Sequence, residues 1–339
     1  MQCFSQDLLK KHIIMLSDYV VPETYSKRDA RDENSFISKI EQEVKRYKVD
    51  FEYVELKNIR ELKKTLSKLD KKETIIFNWY ESVNGKESMG YLVTKVLDEK
   101  GFIYTGADTG CLKLASNKLN TKKVLIKNGI ITPDFHLLSS GTNFNNQDLL
   151  YPIILKLYDR HSSESITNKS VIEDRSQLKH QAKKLIKMYK TKLLAEEYID
   201  GQEFTVPVWG NNKEVSIMPI YKVHFSNNSI NKIFTKKAKE NCYSKAAGNT
   251  EVSLENFNNS PKLLASIKNA VTNAYRCLEF KDYGRFDLRV RNGIAYVMDA
   301  NPNPLLGSYY TFSRSAKHLG YNCGETILQI CEFALKRNM

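Results

Sequence analysis

Strand and helix signals alternate through the first 110 residues of this 339-residue chain, and few folds accept that order. Ile13-Ile14-Met15-Leu16 reads as a strand, while Phe36, Ile40, Val44 and Tyr47 recur at the three- and four-residue steps of a helix. Residues 51–56 then read as a strand, 59–69 as a helix, 74–78 as a strand, 89–99 as a helix and 103–105 as a strand. Alternation of this kind predicts a parallel sheet with helices on both faces. Such sheets place ligands at the carboxyl ends of their strands. The loops after Leu16 and after Phe77 are therefore candidate site loops. No G-x-G-x-x-G follows the first strand, so a dinucleotide fingerprint is absent.

Beyond residue 110 the pattern changes. A helix at 116–127 precedes an apolar strand at 152–157, a polar loop at 159–169, a basic helix over 179–192 and an apolar-acidic strand at 193–199. In the basic helix Leu178, Ala182, Leu185, Ile186 and Tyr189 share one side, so the lysines read as a solvated face. From Gly201 onward, strands are expected at 204–209 and 215–223, a lysine-bearing loop at 231–248, a helix at 263–278, a hairpin over 285–299 and one closing helix. The class is α/β, turning α+β in the C-terminal half, with units expected at 1–110, 111–200 and 201–339.

Composition narrows the choice of environment and partner. Hydrophobic residues make up 41%, enough for a sizeable core, which excludes disorder as the main state. No apolar run approaches the ~18 residues of a membrane span. The start lacks a signal-peptide pattern, and the six cysteines show no C-x-x-C spacing, so a cytoplasmic protein with reduced thiols is expected. The net charge of +13 admits three readings: lysine-rich background, an electropositive cleft for a polyanion such as a nucleoside triphosphate, or, least favoured, a nucleic-acid surface.

Three features carry candidate chemistry. The first is the hairpin that holds Asp287, Asp299 and Asn301. Asp299 and Asn301 alternate onto one strand face, and Asp287 lies on the partner strand. If Asp287 sits opposite Asp299, hard oxygen ligands suited to Mg²⁺ converge. That pairing requires an odd or bulged connection, because a plain two-residue Asn-Gly turn would put the aspartates on opposite faces. A three-residue or bulged connection with Gly293 at positive φ is therefore expected.

The second feature is a pair of lysines: Lys156, which interrupts a buried strand and is costly there unless it meets an anion, and Lys118 at a helix start; taken alone, either reads first as a surface charge. The loop after Lys156, with Ser162 and Ser163, offers hydroxyls and backbone N–H groups suited to phosphate oxygens. The third is the run Glu196-Glu197-Tyr198-Ile199-Asp200-Gly201-Gln202-Glu203. Here an edge backbone could read an adenine, and Glu203 could accept from ribose hydroxyls.

Taken in order, these features resemble the ATP-grasp superfamily, and within it the D-alanine–D-alanine ligase-like group. Phe77-Asn78, Tyr104-Thr105-Gly106 and Asn117-Lys118-Leu119-x-Thr121-Lys122 add to the likeness, which spans roughly residues 74–308. The resemblance implies an ATP-grasp fold: an N-terminal parallel α/β domain followed by two α+β subdomains that clasp ATP. It implies an ATP-dependent carboxylate–amine ligase that forms an amide through an acyl phosphate, with Mg²⁺ or alternatively Mn²⁺. By position, Lys118 and Lys156 would hold ATP phosphates, with Ser162 and Ser163 in the phosphate loop. Glu196 and the backbone of Glu197, Tyr198 and Ile199 would meet adenine, and Glu203 the ribose. Lys239 would approach the terminal phosphates, with Lys236 and Lys237 as rivals. Asp287, Asp299 and Asn301 would bind metal, and Arg285 would stabilise the oxygen that becomes negative during attack. The loops at 159–169 and 231–248 are candidate lids. The partners implied are small carboxylates and amines, with no membrane and with a homodimer suggested by the group.

The chain also departs from the group's pattern. Ser17-Asp18-Tyr19-Val20-Val21-Pro22-Glu23 replaces a glycine-rich turn, and His161 and Ser165 stand where glycines are expected. Asp299 replaces a glutamate, and Tyr310 stands where the group uses a serine for the acceptor's carboxylate. The expected substrates are accordingly small amino-acid-type acids and amines other than D-alanine. A genuine D-alanine–D-alanine ligase is the alternative within the class; a phosphotransferase and a degenerate nucleotide-binding protein are the alternatives outside it.

Overall fold

The computed structural model describes residues 2–18, 27–80, 82–83, 87–143, 149–158, 167, 170–226, 232–233 and 250–339. A short helix α1 (Gln6–Leu9) leads into the first sheet, with strands β1 (His12–Asp18), β2 (Asp50–Leu56), β3 (Thr74–Trp79) and β4 (Ile103–Tyr104). Helices α2 (Lys27–Lys45), α3 (Ile59–Leu66) and α4 (Tyr91–Lys100) connect them. The order is β2-β1-β3-β4, with parallel pairing throughout. β1 is apolar at successive positions because both sheet faces are covered. Ile13 and Met15 pack with Phe36, Ile40 and Val44 of α2, whereas Ile14 and Leu16 pack with Leu62 of α3 and Val93 of α4.

Helices α5 (Thr109–Ala115) and α6 (Lys118–Lys127) lead to a second, antiparallel sheet. It holds β5 (Phe135–Leu138), β6 (Ile153–Leu157), β7 (Val171–Ile172) and β8 (Leu193–Glu197), in the order β5-β8-β6-β7. The basic helix α7 (Arg175–Tyr189) covers one face, where Leu178 and Ala182 meet Leu155 and Ala195. Strand alternation turns Lys156 and Glu196 to the other face.

The third sheet comprises β9 (Gln202–Trp209), β10 (Ser216–Ile217), β11 (Tyr221–Phe225), β12 (Thr250–Leu254), β13 (Tyr283–Arg291) and β14 (Ile294–Pro302). Its order is β12-β11-β9-β13-β14, with β10 beside β9. Helix α8 (Pro261–Cys277) buries Ile267, Val271 and Ala274 against Phe204, Val206, Phe286 and Leu288. The alternate residues Glu203, Thr205, Arg285, Asp287 and Arg289 are left on the opposite face. The chain closes with α9 (Thr311–His318) and α10 (Cys323–Lys336), which pack back on the first sheet beside α2.

Three expectations need correction. The strand expected at 215–223 is two strands, β10 and β11, separated around Pro219, which has no N–H to give a ladder. The single closing helix is two, divided where Gly320 takes φ +86°. The hairpin connection is a plain two-residue turn, with Asn292 at φ +54° and Gly293 at φ +78°. The bulge that parity demands lies in the strands instead. Asp287 pairs with Asp299 but Leu288 pairs with Val297, so Met298 is the extra residue.

A buried carboxylate ties the end of the first sheet to the third sheet and the last helix. Asp282 is fully buried, accepts from Asn211 Nδ2 at 2.8 Å and Arg337 Nε at 3.0 Å through Oδ1, and from the Gly106 N–H at 2.7 Å through Oδ2. Arg337 also donates to the Tyr104 carbonyl. Gly106 takes φ +83°, and a Cβ there would lie 2.2 Å from Asn303 Oδ1. Removing one partner of a buried ion pair strands the other charge. Arg337→Ala is therefore expected to lower the unfolding free energy by ~3–5 kcal/mol, read from urea denaturation. An unchanged midpoint would show that this junction contributes little.

Candidate active site

Residues from five elements, α6, β6, β8, β13 and β14, meet between the second and third sheets. Asn117 caps α6, its Oδ1 accepting from the Asn120 N–H, so the helix starts with Lys118 in its first turn. The Lys118 N–H donates to the carbonyl of Tyr158, just past β6, at 3.1 Å. Its Nζ lies 3.1 Å from Asp299 Oδ1 on β14. Burial works against the Lys118 charge, but Asp299, aided by Glu196 and Asp287, outweighs it and raises the pKa above its ordinary value. Lys118 therefore senses carboxylates of both sheets.

One helical turn on, Lys122 is buried on the same side of α6. Its Nζ donates to Thr132 Oγ1 at 2.7 Å and lies 3.5 Å from Glu196 Oε2. Thr132 in turn donates to the Val297 carbonyl at 2.8 Å, next to the bulged Met298. Glu196 is completely buried and also accepts from Lys156 Nζ at 2.7 Å. Burial alone would push the Glu196 carboxyl up, but the charges of Lys122 and Lys156 outweigh it and hold it below the usual range. The second oxygen, Oε1, makes no hydrogen bond among the described residues.

On the third sheet, Asp287 and Asp299 are direct cross-strand partners, and Arg285 pairs with Asn301. Arg285 Nε lies 3.2 Å from Asp287 Oδ1, which also accepts from Thr205 Oγ1 at 3.3 Å. Asn301 Nδ2 is buried without a hydrogen bond among the described residues. Further along this face Arg289 pairs with Glu203, and Arg291 Nη1 lies 2.8 Å from Glu197 Oε1.

The structure thus brings Lys118, Lys156, Glu196, Asp287, Asp299, Asn301 and Arg285 into one connected group. Glu197, Tyr198, Ile199 and Glu203 line its far end around Arg289 and Arg291. Ser162, Ser163, Lys236, Lys237 and Lys239 lie outside the described residues, as does nearly all of both candidate lids. Sequence reasoning missed Lys122, Thr205 and Arg289 as participants. The i, i+4 step from Lys118 pointed to Lys122, and the alternation 285, 287, 289 pointed to Arg289. At the first sheet, Asp18 ends β1 and accepts from the N–H and Oγ of Ser82, beyond β3, at 2.9 and 2.6 Å. The order β2-β1-β3 makes this a topological switch point, the place where such sheets form crevices.

The chain is similar to known proteins in sequence and in fold. A sequence model of the family described as D-ala D-ala ligase C-terminus matches residues 124–332. An uncharacterized protein, y4sG, of Sinorhizobium fredii is 26% identical over 264 residues, covering 78% of this chain and 75% of that protein. The D-alanine–D-alanine ligase of Acidovorax ebreus is 24% identical over 256 residues, covering 74% and 72%. Among solved structures, the D-alanine–D-alanine ligase from Bacillus anthracis complexed with ATP superposes with a TM-score of 0.74 at 19% identity, covering 96% of this chain and 98% of that one. At such identity the likeness establishes the shared fold.

Lys122 provides a pH test of the buried group. Burial draws its pKa down from 10.5 to about 8, with Glu196 resisting. Between about 8 and 10.5 the unfolded chain binds the proton that the folded chain has lost, so this group's contribution to stability rises with pH across that window. The unfolding free energy of the wild type relative to Lys122→Met is expected to climb over the same window. A flat difference would show that Lys122 is not titrating there.

Proposed function

This chain belongs to the D-alanine–D-alanine ligase family, matched through its C-terminal domain over residues 124–332, and on that premise we propose a carboxylate–amine ligase of small molecules. An ATP-dependent ligase on the ATP-grasp fold is what membership entails. The finer reading is that a carboxylate oxygen takes the γ-phosphoryl group and ADP leaves. The amine nitrogen then attacks the acyl carbon, phosphate departs, and the nitrogen gives up a proton to leave an amide.

One observation carries this reading: ammonium groups converge on carboxylates at the gap between two sheets, Lys118 of α6 reaching Asp299 across it and the buried Lys156 of β6 reaching Glu196 on the neighbouring strand. Phosphoryl transfer depends mainly on positioning and charge neutralisation, and such ammonium groups supply both. On this proposal Lys118 and Lys156 exchange Asp299 and Glu196 for phosphate oxygens. Glu196 Oε1, without a hydrogen bond among the described residues, would accept from an adenine amino group. Arg285 would stabilise the oxyanion formed when the amine adds. Ser162, Ser163 and Lys239 complete the proposed phosphate contacts, and Glu197 to Ile199 the base contacts.

The hairpin suits a divalent metal. Asp287 and Asp299 are cross-strand partners, and Asn301, whose Nδ2 has no hydrogen bond among the described residues, can turn its amide oxygen toward them. Two carboxylates and an amide oxygen match the hard-donor preference of Mg²⁺ or Mn²⁺. Bound there, the ion would neutralise phosphate charge. The same proposal places the three units at 1–110, 111–200 and 201–339, with the nucleotide between the second and third. Among the described residues no helix is long and apolar enough to cross a membrane.

Two experiments test the proposal. Phosphate release from ATP should appear only when an acid and an amine are both supplied, in a screen of amino-acid pairs that includes D-alanine and is read by product mass. Transfer to the acid alone, giving a stable phosphorylated product, would instead indicate a phosphotransferase. Lys156→Ala and Asp287→Asn should each lower turnover by on the order of 100-fold or more, with the circular-dichroism spectrum unchanged. Near-normal turnover in either variant would remove that residue from the site.

A further inference from the structure

Arg289 lies on the same sheet face as Arg285 and Asp287 yet has no part in the chemistry above. It is one of the most buried charges in the protein, with 4% of its surface exposed. Nε and Nη2 reach the same oxygen of Glu203, Oε2, at 2.9 and 2.8 Å. Nη1 donates to the Ile199 carbonyl at 2.8 Å, and Nη2 also reaches the Lys232 carbonyl. The guanidinium sits 5.0 Å from the ring centre of Tyr198 and 5.8 Å from that of Phe225.

The consequence concerns Glu203. A carboxylate on an open sheet face ordinarily samples several rotamers, and ordering it on binding costs affinity. Here the fork of Arg289 takes one oxygen and leaves Oε1 without a hydrogen bond among the described residues. Glu203 also lines a cavity of about 630 Å³, together with Lys222, Lys232 and Arg291. The same guanidinium pins the carbonyl of Ile199, in the segment that joins the second sheet to the third.

We propose that Arg289 is a positioning residue that presets Glu203 to accept the vicinal hydroxyls of a ribose, making the site selective for ribonucleotides over their 2′-deoxy counterparts. The inference rests on the ATP reading of this site, in which Glu203 meets the sugar. A preset acceptor discriminates, because an analogue that lacks the hydroxyl leaves the desolvated second oxygen of Glu203 without that donor. Lysine cannot reproduce the effect, since a point charge does not form the planar fork.

The test compares ATP with 2′-deoxy-ATP in the full-length protein. Binding is measured by calorimetry, and kcat and KM are measured with whichever acid and amine support turnover. Wild type should bind ATP more tightly than 2′-deoxy-ATP. Arg289→Met should shrink that preference by about three- to tenfold, the change that corresponds to ordering one rotamer-rich side chain. The loss should appear in KM more than in kcat. Arg289→Lys should recover little of it, and in a Glu203→Gln background Arg289→Met should shrink it no further. If Arg289→Met or Arg289→Lys folds and keeps the wild-type preference, the proposal is wrong. If wild type binds ATP but not more tightly than 2′-deoxy-ATP, the proposal is wrong while the ATP site stands. If wild type binds neither nucleotide, the ATP reading itself falls and this inference falls with it.

Discussion

A single buried carboxylate, Glu196, organises the gap between the second and third sheets. Two ammonium groups, from α6 and from β6, converge on its Oε2, and a third, Lys118, lies near enough to feel its charge. Like charges packed this closely away from water repel strongly, and burial penalises each of them. The anion makes the cluster tolerable, and Asp299 does the same for Lys118 across the gap. Such a cluster is close to neutral only while its carboxylates remain. The pairing of Lys156 with Glu196 is the physical reason a lysine is accommodated inside the apolar strand β6.

The metal-binding proposal depends on one extra residue. In a regular ladder the Asn292-Gly293 turn would send Asp287 and Asp299 to opposite faces. Met298 shifts the register by one, and the two carboxylates then face each other beside Arg285 and Asn301. The same shift lies beside Val297, whose carbonyl takes the hydrogen bond from Thr132 and so links the bulge to Lys122 on α6. The bulge therefore sets the register of the carboxylates and abuts the helix that carries the lysines.

The first sheet is tied to this arrangement by buried polar contacts as well as apolar packing. Asp282 and Arg337 connect the end of β4, the third sheet and the last helix. That anchoring gives the carboxyl ends of β1 and β3, where Asp18 and Ser82 meet, a set relation to the gap that holds the lysines. A ligase needs such a relation, because the phosphoryl group and the amine must both reach one carboxyl group, the first at its oxygen and the second at its carbon.

Local patterns determined much of this protein. Period-two and period-3.6 hydrophobicity located the parallel sheet, the basic helix and the late hairpin, because those periods reflect burial on defined faces. The residue types at the site were legible too, since a lysine in an apolar strand and an Asp-x-Asn on a hairpin are costly without a partner. Register was not legible. Parity required a bulge, but its position at Met298 and not in the turn reflects the fit of the whole β13–β14 ladder against β9. Nor could the sequence show that Lys122 shares Glu196 with Lys156, or that Arg289 takes one oxygen of Glu203 and leaves the other. Those pairings join residues 40 to 86 positions apart, and only the packing of sheets and helices brings distant charges within hydrogen-bond reach.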